Sequence, residues 1–301
     1  MLTVFTPTYN RAHTLPRLYE SLLAQDCKDF EWLVIDDGSE DGTKALFDKW
    51  EAQDNGFPVR VFRVENGGKQ RAINRAVELA SGEYFFIVDS DDALTPDAVS
   101  FVLEAFDSLP ADPSFIGISG VRGDMQTVPF GGGPSFGGKP WVDASNIERP
   151  RYGLCYDMAE VFFTEKLKRY PFPVWPGEKF TPEAVVWDRM AYDGYKLRWF
   201  DRVIYRCEYL PGGLTDSFWK VLKENPMGYA MLYDVRLLSM EGLINRLKNA
   251  IEFDAYCILA GELSYISKSC FPVLTIVLFP AGFLFACLRK IQFSRFIDGI
   301  C

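Results

Sequence analysis

Three carboxylates fall within four positions, Asp89, Asp91 and Asp92, directly after the apolar run Phe85-Phe86-Ile87-Val88. Acids this close repel one another unless a cation neutralises them. Hard carboxylate oxygens suit Mg²⁺ or Mn²⁺, whose coordination shells are commonly completed by substrate phosphates. Asp89 and Asp91, two apart, can reach one ion from a turn. The same residues also read as an acidic, solvated connection between a strand and a helix. The apolar run has the length and composition of a buried strand. Thr95-Pro96 then predicts a helix start, with Thr as cap and Pro at the first helical position. Carboxylates at the C-terminal end of a buried parallel strand stand where open α/β sheets bind ligands.

Three earlier strand ends are polar as well. Residues 2–6 predict a first strand, broken by Pro7-Thr8-Tyr9-Asn10. Residues 32–35 predict a second, ending in Asp36-Asp37-Gly38-Ser39. Residues 59–64 alternate and predict a half-exposed third, followed by the turn Asn66-Gly67-Gly68-Lys69. Leucines at 15, 18, 22 and 23 recur at helical spacing and predict a helix near 13–25. Further helices are expected through Leu46 and Trp50, and through Ile73, Ala76, Val77 and Leu79. Strands alternating with helices imply an α/β fold with a doubly wound, mostly parallel sheet, so the polar ends share one edge and line one crevice. The absence of G-x-G-x-x-G after the first strand, and of G-x-x-x-x-G-K-[ST], argues against a dinucleotide site and a P-loop.

Bulk properties narrow the field. The 301 residues, 48% apolar and 24% charged, suffice for a substantial core. A net charge of −9 argues against nucleic acid as partner. The seven cysteines are scattered without metal-type spacing and are expected to be reduced, buried thiols. His13 is the single histidine, which leaves a Ser-His-Asp triad without support. The first residues read as a strand, not as a secretory leader.

Residues 4–10 (Val-Phe-Thr-Pro-Thr-Tyr-Asn), 32–39 (Trp-Leu-Val-Ile-Asp-Asp-Gly-Ser) and 82–92, in this order and spacing, resemble the inverting family 2 glycosyltransferases of the GT-A fold. The resemblance covers the first third of the chain. It implies a nucleotide-sugar donor, with UDP-sugars foremost, and Mn²⁺ or Mg²⁺ held at the Asp-x-Asp. By position, Pro7 and Tyr9 flank the base and ribose, with Asn10 beside them. Asp36 or Asp37 hydrogen-bonds the base, and Asn66, Gly68 and Lys69 lie by the nucleotide. Asp89, with Ser90, meets the ribose or the metal, and Asp91 binds the metal. The residue chemistry is compatible: a carboxylate accepts from a uracil N–H, a glycine turn admits close backbone approach, and Lys69 offers a point charge to phosphate. Residues 36–39 remain readable as an ordinary turn into a helix.

A second chemical stretch runs from 177 to 190. Thr181-Pro182 predicts another helix start, with Glu183 in its first turn. A first-turn acid is favoured by the helix dipole whatever its function. The resemblance adds a role. The family usually has Glu-Asp here with Trp four residues after the Asp, and that Asp is the catalytic base. In this chain Trp187 lies four after Glu183, and Pro182 replaces the preceding Glu. Glu183 therefore takes the base position, with Asp188 as the fallback. Inversion needs only one such base, which removes the acceptor hydroxyl proton as it attacks C1 from the face opposite the nucleotide.

Past the acidic stretch, a helix is expected at 96–109, a strand at 115–119, and resumption of the sheet at 141–147. Residues 128–140, with five glycines and three prolines, read as a loop over the cleft. Strands are expected at 197–200 and 203–209, and 209–215 as a turn closing the donor site. The pattern is helical from 218. Residues 271–288 are uncharged and apolar, at the lower limit for a membrane span, with Pro272, Pro280 and Gly282 inside and Arg289-Lys290 after. Basic residues then interleave with apolar ones to 297, so peripheral membrane contact through 271–297 is expected, with a full span or a buried helix as alternatives.

The resulting expectation is a glycosyltransferase domain at 1–215, split into a nucleotide-sugar and metal half (1–110) and an acceptor half (111–215). A helical, membrane-associating region follows at 216–301. The enzyme would transfer sugar to a cell-surface glycan or lipid-linked acceptor, in the cytoplasm at the inner face of the cell membrane. A catalytically inactive nucleotide-sugar binder is one alternative. A nucleotidyltransferase, which also uses paired acids and Mg²⁺, is another, but residues 7–10 lack the basic Gly-rich loop it usually carries.

Overall fold

The computed structural model describes residues 1–208 and 217–297, so the expected closing turn at 209–215 lies outside the described residues. The chain divides into two compact units. The first is Met1–Pro171 with Gly194–Glu208, and the second is Phe172–Asp193 with Tyr209–Cys301.

The first unit opens with β1 (Leu2–Thr8), α1 (Leu15–Leu23), β2 (Phe30–Asp36), α2 (Thr43–Glu51), β3 (Val59–Arg63), α3 (Lys69–Leu79) and β4 (Tyr84–Ile87). The four strands pair in parallel in the order β3-β2-β1-β4. Every residue of β2 is buried, and all of β1 but Pro7, as expected of strands covered on both faces. β3 lies at the edge and is half-buried, in line with its alternation. Tyr19 from α1 stacks on Trp50 from α2 at 4.3 Å, and Trp32 from β2 meets Phe47 at 5.4 Å. Such aromatic layers bury large apolar area and hold the helices against the sheet.

The remainder of this unit is β5 (Ala93–Leu94), α4 (Ala98–Asp107), β6 (Phe115–Gly123), β7 (Trp141–Ala144), β8 (Met158–Phe163), the single turn α5 (Thr164–Leu167) and, after the excursion, the long strand Lys196–Arg206. Together they make the sheet mixed. β8 runs antiparallel to both β4 and β6. The strand Lys196–Arg206, named β9, is parallel to β6 and antiparallel to β5 and β7. β9 is one continuous strand where two were expected, and β8 was not foreseen. The helix expected to begin at Thr95-Pro96 begins at Ala98 instead. The Thr95 N–H donates to the Ile204 carbonyl, which keeps the chain tied to β9 through that position.

The second unit contains α6 (Ala184–Tyr192), α7 (Phe218–Glu224), α8 (Pro226–Ser239), α9 (Leu243–Ala260), α10 (Leu263–Ile266) and α11 (Pro272–Ile297). The chain therefore does not divide at 215 alone, because 172–193 joins the C-terminal helices. A hydrogen-bonded reason is visible. Glu178 accepts from the N–H groups of Met227 and Gly228 at 2.7 and 2.8 Å, satisfying first-turn amides of α8 that have no partner within the helix. Asn225 Oδ1 accepts from the Lys179 and Phe180 N–H groups at 2.8 and 3.0 Å.

Met227, Ala230, Phe253, Tyr256, Cys257 and Phe293 form the core of this unit. Among the described residues α11 is the one helix long and apolar enough to cross a membrane. Its residues 275, 282, 286 and 293 are buried, while Val273, Val277, Leu284 and Ile291 are exposed. Pro280 lies inside the helix without ending it. Of the cysteines, Cys257 is buried as expected, but Cys155 and Cys287 are exposed.

Candidate active site

The register of the parallel strands aligns their C-terminal ends. Thr8 pairs with Asp36, and Asp36 with Arg63, while Ile87 pairs with Phe5 one strand over. The polar residues after β1, β2, β3 and β4 thus share one edge, where an open α/β sheet takes its ligand.

Asp37 organises the turn before α3. Its carboxylate accepts from the Gly67 N–H at 2.8 Å, the Gly68 N–H at 2.9 Å and Asn66 Nδ2 at 3.2 Å. Gly68, the last residue before α3, has φ = 95°, a region where a side chain is strained. Asp36 is also buried; its Oδ1 accepts from the Ser39 N–H at 2.9 Å and its Oδ2 lies 4.0 Å from Arg63 Nε. The ends of β1 and β2 are linked through Asn10, whose N–H donates to Ser39 Oγ and whose Oδ1 accepts from the Glu40 N–H. Pro7 is half-buried and Tyr9 exposed at this edge.

The acidic turn is surrounded by cations. Lys69 Nζ lies 2.7 Å from Asp89 Oδ1, and Arg122 Nη1 lies 3.6 Å from Asp89 Oδ2. Burial works to raise the Asp89 pKa, but Lys69 and then Arg122 outweigh it and hold the carboxyl below its ordinary range. Arg11 Nη1 lies 3.4 Å from Asp91 Oδ2, and Arg17 donates to the Asp91 carbonyl. Ser90 is buried. Asp92 differs: burial, and then the Asp89 charge, push its pKa up to about 7, while a hydrogen bond from Tyr205 opposes them.

Tyr205 and Arg122 were not anticipated from the sequence. Tyr205 comes from β9 and Arg122 from β6, and neither belongs to a local motif. An Arg near the end of the expected fifth strand was the only available signal.

The donor set suits a hard divalent cation. Asp91 keeps 23% side-chain exposure, and such ions are often bound through one or two carboxylates together with substrate phosphates. Among the described residues no group of three or more His, Cys, Asp or Glu is arranged to hold an ion alone. A site here would be completed by a ligand's own oxygens.

Glu183 and Asp188 lie in the second unit. Glu183 occupies the N-cap position of α6, one place before the helix, where a first-turn position was expected. Thr181, expected as the cap, instead donates through Oγ1 to the Pro173 carbonyl. Asp188 is buried and paired with Arg236 at 3.2 Å. That pairing suits a structural role better than proton transfer to a ligand.

Comparison with known proteins shows what this edge is similar to. Residues 3–142 match the family model "Glycosyl transferase family 2". A chondroitin synthase of Pasteurella multocida is 38% identical over 106 residues, 35% of this chain and 11% of that protein, so the chain spans only a small part of this relative. S. aureus TarS 1-349 in complex with UDP-GlcNAc superposes with a TM-score of 0.56 at 18% identity, over 98% of this chain and 91% of that one. The mannosyltransferase PcManGT from Pyrobaculum calidifontis, in complex with GDP-Man and Mn²⁺, gives 0.57 at 18% identity over 97% and 83%. Through residues 3–142 the chain is similar to glycosyl transferase family 2, and its fold is the GT-A fold of these neighbours.

Proposed function

We propose that the chain is an inverting glycosyltransferase that moves a sugar from a nucleotide sugar, foremost a UDP-sugar, to a cell-surface glycan or lipid-linked acceptor. The observation that carries this reading is the convergence of Asp36 and Asp37, the 66–69 turn and the 89–92 turn at one sheet edge. Pro7, Tyr9 and Asn10 border the base and ribose. Asp36 accepts from the base, and Asp37 holds the Asn66-Gly68 turn that approaches the nucleotide. The UDP-GlcNAc bound by TarS supports a uridine donor, and the chondroitin synthase supports a growing glycan as acceptor.

Asp91, with Asp89 behind it, would hold a divalent cation, and the Mn²⁺ of PcManGT supports that assignment. When bound, such an ion supplies positive charge for the departing diphosphate. Lys69 adds a second positive charge on the protein side, a fixed electrostatic contribution to the leaving group. Glu183 removes the acceptor hydroxyl proton as the oxygen attacks C1. Asp188, held by Arg236, is left out of the chemistry.

The reaction takes place in the cytoplasm, with the second unit on the inner face of the membrane through 271–297. Residues 243–297 carry six Lys or Arg against three Asp or Glu, opposite in sign to the whole chain and suited to anionic lipid. The exposed apolar side chains of α11, Val273, Ile276, Val277, Phe283, Leu284 and Ile291, supply the inserting surface.

Calorimetric titration of UDP with and without Mn²⁺, on wild type and Asp91→Ala, tests the donor site. The expected result is Mn²⁺-dependent binding that disappears in Asp91→Ala. Silence with UDP, CDP, GDP and dTDP alike would end the donor-site reading. Glu183→Gln is expected to keep binding and lose at least about a hundredfold in transfer. Wild-type binding without transfer to any glycan or lipid-linked acceptor would favour an inactive sugar-nucleotide binder.

A further inference from the structure

We propose that Tyr205 and Arg122 are positioning residues that clamp the acidic turn in the form that presents Asp91. The inference rests on the donor-site reading for its functional meaning, but its geometry stands independently. The Tyr205 hydroxyl sits at a junction. It accepts from the Asp89 backbone N–H at 2.8 Å and donates to Asp92 Oδ2 at 2.7 Å. One phenol thus bridges the first and last acids of the turn. Tyr205 itself is fully buried, so both bonds form away from competing water.

Arg122 closes a second circuit. Its guanidinium lies over the Tyr205 ring, 4.2 Å from the centroid, and Nε donates to the Met158 carbonyl at 2.8 Å. The same guanidinium reaches Asp89 Oδ2 at 3.6 Å. Asp89 is therefore held through its backbone by the hydroxyl and through its side chain by the cation stacked on that phenol. Asp92 is held by the hydroxyl. Asp91, between them in sequence, takes no part in either circuit and meets Arg11 from another loop. The clamp uses two of the three acids and leaves the third for ligand.

A purely hydrophobic role for Tyr205 predicts that phenylalanine would replace it without loss. The clamp predicts otherwise, since Tyr205→Phe keeps the ring beneath Arg122 and removes only the bridge. Two measurements on the full-length protein separate the possibilities. The first is amide hydrogen exchange at Asp89, which needs no ligand. In Tyr205→Phe this amide is expected to exchange at least about tenfold faster, while amides of the β1–β2 pair are unchanged. The second is titration of UDP in the presence and absence of Mn²⁺. The Mn²⁺-dependent gain in UDP affinity is expected to fall about tenfold in Tyr205→Phe, with metal-free binding within about twofold of wild type. Arg122→Lys, which keeps the charge but loses the planar stack, is expected to retain part of that gain, and Arg122→Met little of it. Unchanged Asp89 exchange in Tyr205→Phe would overturn the clamp. So would a Mn²⁺-dependent gain equal to wild type. Faster exchange in a protein whose wild type binds no nucleotide would uphold the clamp and refute the donor reading instead.

Discussion

Asp254 offers a test of the second unit in which the pH dependence has a definite sign. It lies on α9, fully buried, and neither carboxylate oxygen has a hydrogen-bond partner among the described residues. It faces α11 at Gly282, where an added Cβ would come within 2.5 Å of the Asp254 Cβ, so the two helices approach closely at this point. Burial pushes its pKa up to about 7. An unfolded Asp titrates near 3.9, so between these values the folded protein holds a proton that the unfolded chain has lost. Stability is then greatest below the unfolded pKa and falls as pH rises through the folded one. Three units at 1.36 kcal/mol each give about 4 kcal/mol in all, of which about 2.5 kcal/mol falls between pH 5 and pH 8. Asp254→Asn keeps the shape and removes the titration. Urea unfolding of both proteins at pH 5, 6, 7 and 8 yields a difference in which every other titrating group cancels. The variant is expected to gain on wild type by about 2.5 kcal/mol from pH 5 to pH 8. A difference that stays flat across that range would refute the argument.

Three further outcomes follow from the geometry. Asp37→Asn places an amide donor against the Gly67 and Gly68 N–H groups and is expected to cost about 2–3 kcal/mol, read as a shift in urea midpoint, with weaker UDP binding in calorimetry. Asp188→Asn breaks an ion pair buried on the Asp188 side only and is expected to lose about 1–3 kcal/mol of stability while its folded fraction keeps turnover, whereas Glu183→Gln should keep the melting temperature and lose turnover. Leu284→Lys, on the exposed face of α11, is expected to reduce cosedimentation with anionic liposomes and leave UDP affinity unchanged; equal sedimentation would remove the membrane surface from α11.

The parts of the site that were legible in the sequence are those written locally. Each strand end is a short apolar run followed by its own polar turn, so 7–10, 36–39, 66–69 and 89–92 could be found one at a time. The four parallel strands followed from short apolar runs, one of them alternating, set between helical stretches. Long-range partners were hidden. Tyr205 meets Asp89 across 116 positions, and no spacing rule connects them. Thr95-Pro96 misled for the same reason, because pairing with β9 outcompetes the local cap. β8 was missed because Met158-Ala159-Glu160-Val161-Phe162-Phe163, buried or half-buried at every position, shows neither clear alternation nor bounding turn residues. The placement of 172–193 depends on Glu178 and Asn225 reaching the start of α8, a tertiary capping that sequence does not announce.

The discontinuity of the first unit has a consequence for synthesis. At ordinary elongation rates of about 5–20 residues per second, Tyr205 is made roughly 6–23 s after Asp89. β1 to β4 lie within the first 87 residues and can pair with one another while later residues, β8 beside β4 among them, are still being added. The acidic turn at their edge then waits on a strand that arrives after the whole 172–193 excursion. A ribosome-arrested chain ending before Tyr205 should therefore protect β1 to β4 from protease yet remain open to cleavage at 89–92, and one extending well past Arg206 should protect both. The nascent chain would carry its acids for many seconds before it could fix them in place.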